Sequence, residues 1–150
     1  MNAMAPTRPA ELQVCRVRLT ASPAAAGEAR GQVRAAIRAW DIPVEEDVAV
    51  LLTSELVTTA IGHEAGESIT LAVTCSFGQL RVEVHDTSRT FPVLVDAAAD
   101  AEAGRGLMLV ASLSATWGIY RTPAGKAVYF TLAFEPGPPG GDGRAQTWGL

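Results

Sequence analysis

Cysteine is scarce: 150 residues carry two, Cys15 and Cys75. Each lies in a strand-like alternation rather than in a ligand-spaced cluster, which argues against a cysteine metal site and predicts buried, reduced thiols. Long apolar runs are missing too. The apolar stretches are short and interrupted, as from Val48 to Leu52 before Thr53, and none approaches the roughly 20 residues that span a bilayer, so no membrane helix is expected. The first ten residues, MNAMAPTRPA, lack both a basic start and a sustained apolar stretch, so they are not a secretory signal and the expected location is the cytoplasm. Basic charge is in short supply. With a formal net charge of −4 and a pI near 5.1, the chain is a poor match for a surface that tracks nucleic-acid phosphates, and direct binding to nucleic acid is not expected.

What is present is the composition of one globular domain, 48% apolar and 19% charged, long enough to bury a core without staples. From Leu12 to Thr20, Cys15, Val17 and Leu19 alternate with Arg16 and Arg18, the pattern of a half-buried strand. Ser22-Pro23 offers a cap and a first-turn proline, and Ala29, Val33, Ile37 and Trp40 then form an apolar stripe, predicting a helix from about Pro23 to Trp40. Asp41-Ile42-Pro43 breaks it. Glu45, Glu46 and Asp47 follow as the acidic first turn of a second helix that runs to about His63.

Ile69, Leu71, Val73 and Cys75, the turn at Phe77-Gly78, and Leu80, Val82 and Val84 predict a β-hairpin. Residues 87–103 lose all periodicity and predict a long functional loop. A third helix is expected to open at Gly104, with Leu107, Val110 and Ala111 on one face. A last hairpin is expected around Pro123-Ala124-Gly125. The predicted fold is α+β, a two-layer sandwich in which a mixed, mostly antiparallel sheet is covered on one face by helices. Domain limits of 11–135 follow, with disorder at 1–10 and in the Gly- and Pro-rich tail 136–150.

Three motifs bear on chemistry. Glu55 interrupts an otherwise apolar helix, and a lone buried carboxylate is costly unless it is used; Thr59, four residues on, shares its face. Glu55 suits the activation of an attacking hydroxyl, although a helical carboxylate that reaches solvent or an arginine would look the same in sequence. Asp86 ends a strand and can accept from an exocyclic amine, or simply form a turn with Thr87 and Ser88. Gly104-Arg105-Gly106 at a helix start can admit a phosphate through free N–H groups, or be an ordinary glycine-rich entry.

Taken in order, SELVTTAIGH, VEVHDTS, GRGLMLVASLSATWG and GKAVYFTL resemble the GHKL (Bergerat-fold) ATPase and kinase superfamily, and within it the small anti-sigma factor serine kinases and related ATP-binding regulators. The resemblance covers roughly Val14 to Phe134. It implies a site for ATP and Mg²⁺ in which Glu55 is the general base, Asp86 recognises adenine with Ser88 beside it, and Gly104, Arg105, Gly106 and Leu107 close over the phosphates. Residues 87–103 would be the lid, His63 would match a histidine common in the family, and Gly125 and Lys126 would match a turn. It also implies a sigma factor and an anti-sigma antagonist as protein partners, and a homodimer. Two positions depart from the pattern. Gly62 stands where relatives carry a basic residue, and Thr59 where they carry the Mg²⁺-binding Asn. A threonine hydroxyl can ligate Mg²⁺ but reaches less far, so the departure implies weaker metal binding and leaves two readings: a protein serine kinase, or a pseudokinase that binds partners with impaired Mg-ATP chemistry.

Overall fold

The computed structural model describes residues 12–62, 68–88 and 101–135. The termini expected to be disordered, the loop residues 89–100 and His63 lie outside the described residues. The elements are β1 (Gln13–Thr20), α1 (Ala25–Ala39), α2 (Glu46–Gly62), β2 (Ser68–Ser76), β3 (Gln79–Asp86), α3 (Ala101–Leu113), β4 (Thr116–Arg121) and β5 (Lys126–Ala133).

The five strands form one sheet in the order β1-β2-β3-β5-β4, and every ladder among them is antiparallel. α1 lies against β1 and β2, α2 against β3 and β5, and α3 against β4, with α2 between the other two helices. This is the α+β two-layer arrangement that the grouping of hairpins and helices predicts. Strand alternation builds the interface between the layers. Leu80, Val82 and Val84 of β3 and Phe130 of β5 have no exposed surface and meet Ala29, Val33, Leu52 and Leu56 from the helices in one core. Full burial of each large apolar side chain contributes about 1.5–3 kcal/mol, which makes this layer the main source of stability.

Turns follow from residue type. Asp41 adopts φ 55° where α1 ends, a left-handed conformation that Asp tolerates better than most residues, and Gly78 takes φ 82° in the β2–β3 turn, where glycine meets no penalty. Ser22 does not cap α1 with its side chain; its backbone carbonyl accepts from the Ala25 N–H at 2.9 Å instead, and Ala24 occupies the cap position. The thiols also differ from expectation. Cys15 and Cys75 are free but only half-buried, because they lie in the two strands at one margin of the sheet, with Cys15 opposite Val73 and Gln13 opposite Cys75. Burial of that extent still pushes the Cys75 thiol up.

The sheet face away from the helices carries a polar network. Arg81, Glu83 and His85 alternate with the core residues of β3. The Glu83 carboxylate accepts from His85 Nε2 at 2.8 Å, from Arg81 Nη2 at 2.6 Å and from the Tyr120 hydroxyl at 2.9 Å. The Arg81 guanidinium also lies 3.8 Å over the Tyr129 ring, and Gly118 makes room for that ring, since a Cβ there would sit 2.8 Å from it. The His85 bond, with those from Arg81 and Tyr120, outweighs desolvation and holds the Glu83 carboxyl at about 2.

A pH dependence follows. The folded pKa lies below the ordinary value of 4.5, so this stabilisation is complete above that value and is lost as pH falls towards 2. Solvent screens a network on an open face, and the expected loss is about 1 kcal/mol. Urea midpoints at about pH 6 and about pH 2.5 should therefore differ more for the native chain than for Glu83→Gln.

Candidate functional site

The candidate site residues lie on α2, on α3 and at the facing ends of β3 and β5. An acidic first turn at Glu46 and Asp47 starts α2, and burial of Leu52, Leu56, Val57 and Ala60 fixes its rotation. Thr59 is then nearly buried at 4% exposed. Glu55, one turn earlier, is half-buried on the side of α3.

There it meets Gly106. A Cβ at Gly106 would come within 2.6 Å of Glu55 Oε1, so the absence of a side chain lets the carboxylate lie against the α3 backbone. Two of the expected site residues are thus in contact. Leu107, the next residue, has no exposed surface and belongs to the core; it anchors α3 while its neighbour faces Glu55.

The start of α3 differs from expectation. The helix begins at Ala101 rather than at Gly104, in keeping with the higher helix propensity of the three residues before that glycine. Gly104, Arg105 and Gly106 therefore lie inside the helix, and the expected lid of 87–103 gives up its last three residues to it.

Asp86 ends β3 directly opposite Lys126, the first residue of β5. Both side chains are on the helix-covered face, as continuations of the apolar rows Leu80-Val82-Val84 and Val128-Phe130-Leu132. The lysine Nζ donates to both carboxylate oxygens, at 3.0 Å to Oδ1 and 2.9 Å to Oδ2, and neither side chain has any exposed surface. Oδ1 also accepts from the backbone N–H of Ser88 at 2.8 Å, and Ser88 itself is buried. Gly125 makes this possible. A Cβ there would overlap the Asp86 carbonyl oxygen and lie 2.5 Å from Thr87 Cα, so only glycine lets the β4–β5 turn close onto the end of β3.

Sequence reasoning placed Asp86, Ser88, Gly125 and Lys126 in the site but missed the pairing of Asp86 with Lys126. Two signals were available. Lys126 is the only lysine in a chain with eleven arginines, and the strand alternation already put both residues on the inward face. Arg30, also missed, reaches across from α1 to donate to Ser54 Oγ at 2.8 Å beside Glu55.

Toward a metal the donor set is small. Among the described residues no three His, Cys, Asp or Glu side chains cluster, and Glu55 and Thr59 would need phosphate oxygens and water to complete the octahedron of Mg²⁺. Toward adenine, Asp86 has the right chemistry and place, but its carboxylate is already engaged by Lys126 and closed to solvent, so the base end of the site does not accept an exocyclic amine in this arrangement.

Three helices on a five-stranded antiparallel sheet, with a carboxylate helix against a glycine-bearing helix and an aspartate at a strand end, form the ATPase-type domain of the GHKL class. The family model of the histidine kinase-like ATPase domain matches residues 19–132, and the chain belongs to that family. Membership implies ATP binding. Among curated proteins, none matches the chain. No described helix is long and apolar enough to cross a membrane.

Proposed function

We propose that the protein is an ATP-binding regulator of the anti-sigma factor serine kinase type, acting in the cytoplasm and contacting a sigma factor and an antagonist protein. The observation that carries this reading is the approach of Glu55 to Gly106 within a histidine kinase-like ATPase domain. It puts a carboxylate suited to activating a serine hydroxyl against the glycine-bearing helix of the ATPase-type domain.

A second reading, a pseudokinase that binds partners with impaired Mg-ATP chemistry, draws support from two features. Thr59 stands where an Asn would hold the metal, and Asp86 is tied to Lys126. Titration of the protein with a fluorescent ATP analogue, with and without Mg²⁺, separates the two. Binding that tightens roughly tenfold or more with Mg²⁺ favours the kinase, because the metal then bridges protein and phosphates. Equal affinity in both conditions favours the pseudokinase. No binding at millimolar analogue overturns the ATP-binding reading altogether.

A further inference from the structure

We infer that Lys126 is a built-in substitute for the amine of the base: its ammonium occupies the Asp86 carboxylate that would read adenine, and so sets the base selectivity of the site. The inference rests on the ATP-binding reading above and concerns the same site.

The argument starts from donor chemistry. An exocyclic amine and an ammonium both offer N–H groups to a carboxylate at about the same distance, and Lys126 takes both Asp86 oxygens at 3.0 and 2.9 Å. With Ser88 N–H on Oδ1 as well, Asp86 is satisfied by the chain itself. Neither side chain is reached by solvent, so a base cannot touch the carboxylate unless Lys126 first withdraws.

Residue choice supports this. The chain places eleven arginines elsewhere and its one lysine here. A compact, flexible ammonium can fit in this buried place beside Asp86 and can move away again, whereas a planar guanidinium holds a carboxylate by a rigid fork. Gly125 then brings the lysine within reach by letting its turn press on the Asp86–Thr87 backbone.

The consequence is a site that holds the sugar and phosphates of a nucleotide but discriminates poorly between bases. A buried carboxylate that is left free to accept from the 6-amine of adenine rejects a base that presents a carbonyl there, as guanine does, because the wrong base strands it unpaired. With Lys126 in place, that penalty disappears.

The test compares ATP and GTP binding by calorimetry in the native chain and in Lys126→Thr, whose short side chain frees Asp86 and leaves space for an amine. The native chain should bind the two nucleotides within about threefold of each other, and Lys126→Thr should bind ATP about tenfold more tightly than the native chain does, with GTP little changed. That gain should vanish in Asp86→Asn/Lys126→Thr. A native chain that binds neither nucleotide while Lys126→Thr binds ATP overturns the ATP-binding reading of the native chain, and the base selectivity inferred here with it.

A native preference for ATP above about tenfold, or a folded Lys126→Thr with unchanged ATP affinity, overturns it. So does a gain that persists without the Asp86 carboxylate. If neither protein binds either nucleotide at millimolar concentration, the ATP-binding function fails and takes this inference with it. Should Lys126→Thr not fold by circular dichroism, Lys126→Ser, whose short side chain likewise frees Asp86, is measured by the same criteria.

Discussion

Asp86→Ala should lower the unfolding free energy by about 3–5 kcal/mol, the cost of leaving a buried charge without its partner. Lys126 has no exposed surface, and among the described residues its hydrogen-bond acceptors are the two Asp86 oxygens. Truncation of the aspartate therefore strands a buried ammonium. Urea unfolding followed by circular dichroism measures the loss, and the double variant Asp86→Asn/Lys126→Met should recover most of it, since removal of both charges costs far less than removal of one. Equal losses in the single and double variants would mean that the pair contributes only its packing volume.

Gly125→Ala and Gly31→Ala should move stability in opposite directions. At Gly125 the new methyl collides with backbone atoms of Asp86 and Thr87, which cannot swing aside as a side-chain end would, and overpacking of that kind costs about 1–3 kcal/mol. At Gly31, exposed in the middle of α1, the methyl meets nothing within 4 Å, and the change removes a poor helix former for a gain of about 0.5–1 kcal/mol. Thermal midpoints of the two variants against the native chain decide the matter. A neutral Gly125→Ala would mean that the β4–β5 turn has room to retreat from the end of β3.

Much of this arrangement is legible in the sequence for one reason: periodicity reports which side of an element is buried. The alternation in VTCSFGQLRVEV and KAVYFTL gives the three inner strands β2, β3 and β5 and the face they bury. The four-residue spacing of Ala29, Val33 and Ile37 likewise gives the buried stripe of α1. The approach of Glu55 to Gly106 was harder to read, because it depends on how closely two helices pack. The glycine that permits the contact looks the same in sequence as one that starts a helix. Ser22 and Gly104 show the weakness of boundary residues. Each has the right type for a helix start, but the helix start is decided by neighbours with better propensity or by a backbone carbonyl. Lys126 was obscured by a different cause. A lysine after a glycine in a turn is ordinarily a solvated residue, and only the register that sets it opposite Asp86 shows it to be buried.

That burial gives the protein a chemical reporter. Lys126 is the only side-chain amine in the chain, and in the closed arrangement it is shielded from solvent. An amine-selective acylating reagent, the α-amino group aside, finds nothing to react with until Lys126 leaves Asp86. The rate at which the reagent labels that one residue is thus a direct clock for the opening of the base end of the site, with no probe introduced and no residue changed.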